Sequence, residues 1–211
     1  RYPFITFRPY LHTDPTNDRV LNTFSGFPLL NFTQTVSVDI KQTTLWQWLW
    51  DSYAHKDGAK MEWFLNFLAF KLQNPSTRSE RIIVLLSKYM GNGKTTFFYL
   101  LLALFGSEVS AFWASLDEFQ DPFDYPTSSK MFNFIDDVSS ATKQQCKRLN
   151  SRSTLTEKLF NQKHQVRVKL PVCDEIIVTS NDRNPMYCSA QDRRQLYLVI
   201  SDTHTMDIPF F

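Results

Sequence analysis

The chain has 211 residues, 43% hydrophobic and 15% aromatic, which is material for one main packed core with a small appended segment. Only 5 Gly and 10 Pro exclude a low-complexity chain, and no apolar run is long enough to cross a bilayer, so no membrane partner is expected. A net charge of +2 is too small to name a partner by itself. Residues 1–32 are rich in aromatics and broken by Pro3, Pro9, Pro15 and Pro28, which predicts extended segments and turns rather than a helix. Two amphipathic helices are predicted next, over 43–55 and 58–73. There Leu45, Trp48, Leu49 and Tyr53, then Met61, Phe64, Leu65, Leu68 and Leu72, recur at helical spacing. That period matches burial on one face, so the aromatic stripe reads as core rather than as a base-stacking platform; Trp46 and Trp50 fit neither assignment. Residues 1–75 are thus expected to form a lead-in segment, ahead of a core over 76–211.

The apolar run 82–86 launches Lys88-Tyr89-Met90-Gly91-Asn92-Gly93-Lys94-Thr95-Thr96, and an apolar helix is predicted to follow, with Gly106 at its C-cap. Strand, glycine turn and helix in that order are the setting of a nucleotide phosphate loop, in which backbone N–H groups converge on phosphate oxygens at a helix start. Tyr89, Met90, Gly91, Asn92, Gly93, Lys94, Thr95 and Thr96 are the expected nucleotide-binding stretch. Lys94 would reach the β and γ phosphates of ATP, and the Thr95 hydroxyl would coordinate Mg²⁺. Where G-x-x-x-x-G-K-S/T has its first glycine this chain has Lys88, so Gly91 and Gly93 must supply the tight path. The bland alternative is a surface turn that happens to contain Gly-Lys-Thr.

A second strand, 131–135, runs into Asp136-Asp137; a third, 176–179, ends in Ser180-Asn181-Asp182; a fourth, 196–200, follows Arg193-Arg194. Strands alternating with helices predict an α/β fold with a mainly parallel sheet, whose ligands sit at the carboxyl ends of the strands. Phosphoryl transfer needs charge neutralisation, metal placement and an aligned water. One member of the acid pair would hold Mg²⁺, written here as Asp136, and the other, Asp137, would orient or deprotonate the water; the roles can be exchanged. Asn181 suits a sensor of the γ-phosphate. Arg193 or Arg194 would serve as a finger reaching a neighbouring subunit's site, with a surface ion pair to Asp192 as the plain alternative. Between 141 and 170 lie eight Lys or Arg residues against one acid, Glu157, a local +7 that leaves −5 for the remainder. Such a basic stretch in an acidic body fits a polyanion, or simply a solvated helix and hairpin.

The order of phosphate loop, Asp-Asp strand, basic stretch, Ser-Asn strand end and Asp-Arg-Arg resembles the superfamily 3 helicases of viruses and plasmids, especially the poxvirus-type primase-helicase group. Leu21-Asn22-Thr23-Phe24-Ser25-Gly26-Phe27 and Phe67-Leu68-Ala69-Phe70-Lys71-Leu72-Gln73-Asn74-Pro75 resemble that group's lead-in segments. The resemblance implies a P-loop NTPase with a modified AAA+ core, a homo-oligomeric ring (a hexamer) with ATP sites between subunits, and 3′ to 5′ translocation on single-stranded or forked DNA. It also implies a basic hairpin in the ring channel, matched here by 158–169. Lys163 and His164 would sit at the tip and track the phosphate backbone, with Lys158 and Arg167 alongside and Arg152 supporting the same surface. Asp-Asp departs from the group, much of which has Glu second.

The resemblance also implies a primase domain in the parent polypeptide; the chain starts at Arg1, ends soon after the arginines and reads as an excised motor segment. Cys146, Cys173 and Cys188 show no C-x-x-C pattern, which predicts a reducing compartment; the expected location is inside a host cell, at viral or plasmid replication sites. Two other functions compete: a nucleotide-binding nucleic-acid scaffold without efficient turnover, and a small-molecule kinase, for which no substrate lid is evident.

Overall fold

The central strands begin where the chain becomes apolar on both faces, the composition of a sheet covered on both sides. The structure, a computed structural model, describes residues 4–9, 20–28, 37–187 and 192–207. A short parallel pair, β1 (Phe4–Thr6) and β2 (Val20–Asn22), stands apart from the main sheet. Helix α1 (Thr44–Trp48) starts where the Thr43 hydroxyl accepts the Trp46 N–H, and it passes into a π-helical turn over Leu49–Tyr53. The continuous helix predicted over 43–55 is therefore interrupted by a π-helical turn, and Trp48, Leu49 and Tyr53 are all buried. Helix α2 (Gly58–Gln73) keeps the predicted bounds, capped by Asp57, which accepts the N–H groups of Ala59 and Lys60.

The core elements follow as β3 (Ile82–Leu86), α3 (Lys94–Phe105), β4 (Ser110–Trp113), α4 (Leu116–Phe119), β5 (Phe132–Ile135), α5 (Lys143–Arg152), β6 (Glu157–Phe160), β7 (Val168–Pro171), β8 (Glu175–Ser180) and β9 (Gln195–Val199). Five strands form one parallel sheet in the order β4-β5-β8-β3-β9, in an α/β architecture with helices flanking the sheet. The three inner strands explain its stability. β8 and β5 are buried at every residue, and β3 at all but Leu86. On one face, Phe97, Leu101 and Phe105 of α3 meet Trp48, Tyr53, Phe64 and Leu68 of the N-terminal helices and Phe132 and Phe134 of β5. Each such side chain, fully buried, contributes about 1.5–3 kcal/mol. On the other face, Leu116, Phe119, Cys146 and Leu149 pack over Ile82, Val84, Ile135 and Val178.

β6 and β7 pair antiparallel, outside the main sheet, with Glu157 opposite Pro171 and Phe160 opposite Val168. Among the described residues no helix is long and apolar enough to cross a membrane. Cys146 and Cys173 are buried; Cys188 lies outside the described residues, as does most of the irregular stretch predicted over 1–32.

Candidate functional site

The carboxyl ends of β3, β5 and β8 converge, and each ends in a residue singled out from the sequence. β3 runs into a glycine loop, residues 87–93, that delivers the chain to the start of α3. Gly91 and Gly93 take φ of 72° and 90°, the left-handed region open to glycine at no steric cost, so the two glycines make the turn as the sequence requires. Lys88 is absent from the positive-φ positions, which is why the loop accepts a side chain where the usual pattern has its first glycine. Its ammonium sits 4.8 Å from the Tyr89 ring centroid, on the exposed side of the loop.

Lys94, the first residue of α3, points back under the loop and is 9% exposed. Its ammonium donates to Ser87 Oγ and, at 2.5 Å, to Asn181 Oδ1. Ser87 is itself tied to the neighbouring strand by its N–H to Ser180 O (3.1 Å), and its hydroxyl donates to Tyr89 O (2.9 Å). Burial lowers the pKa of Lys94; the carboxylates of Asp136, Asp137 and Asp202 pull the other way without cancelling the effect. A lysine held in this state, facing a cleft, gains a counter-charge when an oxyanion enters.

Asp136 follows β5 directly. Its Oδ1 accepts the Thr179 hydroxyl proton at 2.6 Å, and the same hydroxyl oxygen accepts the Asp137 N–H at 3.0 Å. Thr179 on β8 therefore fixes the acid pair from across the sheet. Asp137 is exposed and carries φ 45°, a strained conformation for a non-glycine residue. The pair is not a helix cap: Thr142 caps α5, in a reciprocal box with Gln145.

These residues line a single cleft of about 440 Å³, formed by Met90, Gly91, Asn92, Gly93, Lys94, Thr95, Thr96, Asp136, Asp137, Thr179 and Asn181. Asn92, 1% exposed, has both its side-chain amide nitrogen and oxygen without a hydrogen-bond partner. Buried polar groups are rarely left so, and a ligand carrying donors and acceptors would satisfy them. No group of three or more His, Cys, Asp or Glu gathers among the described residues. The hard oxygens of Thr95 and Asp136 fit Mg²⁺, which takes one or two protein ligands and fills its remaining positions from phosphates and water.

The arginines lie elsewhere. β9 is parallel to β3, with Gln195 opposite Ile82, so Arg193 and Arg194 stand at the amino end of the sheet. Five strand residues at about 3.3 Å each put roughly 16 Å of sheet between them and the glycine loop. Arg194 makes a two-point pair with Asp192 (2.9 and 3.1 Å), whereas Arg193 is exposed and makes no ion pair among the described residues. Together with Ser79, Glu80, Arg81, Thr154 and Asp192 they line a separate cavity of about 630 Å³.

The basic stretch divides. Lys163, His164 and Arg167 are exposed at the β6–β7 tip, with His164 in the left-handed region at φ 61°. Lys158 is ion-paired with Asp124. Arg152 is 5% exposed and locked to Asp174, so it cannot form part of an exposed phosphate-tracking surface, contrary to the sequence expectation. Ser87, Thr179 and Tyr53, whose hydroxyl donates to Gly93 O at 3.3 Å, border the site without having been assigned to it from the sequence, where Tyr53 reads as part of a core stripe; only Thr179 and Ser87 carried a signal, as polar residues closing or following apolar runs.

Residues 85–194, from the end of β3 to the arginine pair, match a family described as "Family of unknown function (DUF5906)". That is 110 of 211 residues. The chain belongs to this family. A comparison with curated proteins finds no match. Three apo structures of the NrS-1 C-terminal region resemble the DUF5906 chain with TM-scores of 0.75, 0.77 and 0.74, at 18, 19 and 19% identity. The matches cover 92–93% of this chain and 46–47% of those chains, so the chain spans just under half their length. At that identity the likeness shows a shared fold.

Proposed function

We propose that this domain is the ATP-hydrolysing motor of a DNA helicase in a viral or mobile-element replication protein. On this reading residues 76–211 are a P-loop NTPase core of modified AAA+ type, with 1–75 as its lead-in. The observation that carries it is the convergence of Lys94, Asp136, Asp137 and Asn181 on one cleft at the carboxyl ends of three parallel strands. A triphosphate entering the cleft would take over the Lys94 ammonium from Ser87 and Asn181. The freed Asn181 amide could then face the γ-phosphate. Thr95 and Asp136 would hold Mg²⁺, which supplies charge neutralisation between the phosphates. Asp137, exposed beside Asp136, would accept a proton from the attacking water.

The superfamily 3 resemblance supports the rest of the reading. It comprises a homo-oligomeric ring, a hexamer in the resemblance, an arginine reaching the neighbouring subunit's site, Lys163, His164 and Arg167 against single-stranded or forked DNA, and a primase domain elsewhere in an intracellular parent protein. The deciding measurement is ATP hydrolysis by the purified chain with and without single-stranded DNA. Turnover should rise with DNA, and Lys94→Ala should lower it by about a hundredfold or more. Tight Mg-ATP binding with no turnover in any assembly state would instead favour a nucleotide-binding scaffold.

A further inference from the structure

The glycine loop is held from behind by groups that neither touch the cleft nor follow from any motif. Gly93 O accepts the Tyr53 hydroxyl, and Gly91 O accepts the Met206 N–H at 2.9 Å. Met206 lies directly on the loop: a Cβ built on Gly91 would fall 2.5 Å from Met206 Sδ. Met206 itself is strained, with φ 57°, so something must hold it there. Two residues earlier, His204 is 9% exposed and lies between two carboxylates, with Nε2 3.0 Å from Asp51 Oδ2 and Nδ1 3.4 Å from Asp207 Oδ2. Asp51 belongs to the same π-helical turn as Tyr53; it also accepts the Gln47 amide at 2.7 Å, and Lys56 lies 3.7 Å away. The Ser201 N–H bonds to Ser52 O at 2.9 Å, a second tie between the two segments.

We infer that His204 is a positioning residue of the nucleotide site, anchoring segment 201–207 to Asp51 so that Met206 holds Gly91, and with it the loop N–H groups, in the phosphate-binding path. The inference rests on the nucleotide reading above. Its physical basis is pre-organisation: backbone donors gain most when the loop need not be ordered on binding. The role concerns binding and leaves the chemistry to Lys94 and the acid pair. His204→Gln keeps a donor near the Nε2 position and should preserve the tie to Asp51; His204→Ala cannot.

The test uses the whole chain with a fluorescent ATP analogue and Mg²⁺, followed by steady-state hydrolysis. Loss of one buried charge-assisted bond should weaken nucleotide binding about five- to tenfold in His204→Ala, with kcat at saturating ATP retained and affinity restored in His204→Gln. Met206→Ala, which trims the side chain from Gly91 while leaving the backbone conformation and His204 in place, should weaken binding in the same direction and decides the matter if His204→Ala does not fold. Wild-type affinity in both His204→Ala and Met206→Ala, while Lys94→Ala loses binding, would overturn the inference and leave the nucleotide reading standing. A wild-type chain that binds nucleotide no better than Lys94→Ala would overturn both.

Discussion

Arg152 lies in the most basic stretch of the chain, yet its guanidinium is spent inside the fold. It donates to Asp174 Oδ2 (2.9 and 3.1 Å) and to Thr127 Oγ1 (2.8 Å), and packs 4.9 Å from the Phe119 ring centroid. Asp174 also faces Arg78 and accepts the Asn133 amide at 2.7 Å. Beside it Glu175, 1% exposed, pairs with the fully buried Lys71 at 3.2 Å. These partners are tens of residues apart, which is why composition reads Arg152 as a solvated charge, while the gathering of the motif residues in one cleft was legible because each lies just past the end of an apolar strand. Burial pushes the Asp174 carboxyl up, but the Arg152 and Arg78 charges and the bonds from Arg152 and Asn133 outweigh it, leaving it below the usual carboxylate range. A depressed native value means its stabilisation is present above the unfolded value, about 3.9, and lost as pH falls through the native one. Asp174→Asn should cost about 3–5 kcal/mol at neutral pH in urea denaturation, because it strands the buried guanidinium. The variant's stability should also fall less steeply than wild type on acidification below about pH 4; an identical acid slope would mean that other carboxylates carry the effect.

At the scale of elements, long uniform runs were readable and short mixed ones were not. β3 and α2 fall on their predicted residues, and β5, β8 and β9 within one residue at each end. β4 and α4 were missed: Ser-Ala-Phe-Trp is an edge strand of mixed burial, and a four-residue helix has no room for a period. The hairpin was legible as a pairing but not in how its charges are spent. Its base is fixed by Phe160, Leu170 and Val172, and by the Asn161 N–H to Asp124 (2.9 Å); Lys158 and Lys169 are engaged by Asp124 and Glu157. Lys163 and Arg167 make no ion pair among the described residues, so they remain the cations at the tip that can meet a phosphate. Lys163→Ala and Arg167→Ala should each weaken binding to a single-stranded oligonucleotide and lower the salt slope of log K by roughly 0.7, measured by fluorescence anisotropy, with ATP binding unchanged. An unaltered slope would remove that residue from the DNA contact.

The sheet order is the property of the whole molecule that no single motif could supply. Inserting β8 between β3 and β5 brings Asn181 to Lys94 and Thr179 to Asp136, a placement decided by which apolar strands pair rather than by the residues at their ends. The same parallel order sends the arginines to the opposite end, so a copy of this chain cannot present Arg193 to its own cleft. If Arg193 serves the reaction, it must do so across a head-to-tail interface, and a closed ring is the assembly in which every such interface is filled. Arg193 is the better placed member of the pair, since Arg194 is already occupied by Asp192, whose carboxyl that bond draws below its usual range. Arg193→Ala alone should hydrolyse little ATP, Lys94→Ala likewise, and Arg194→Ala should lose less than Arg193→Ala. Mixed in equal amounts, Arg193→Ala and Lys94→Ala subunits re-create intact interfaces wherever the lysine of one meets the arginine of the other, and random mixing should restore roughly a quarter of wild-type turnover. No rescue at any ratio, under conditions where the wild-type chain turns over, would exclude Arg193 from the neighbouring site.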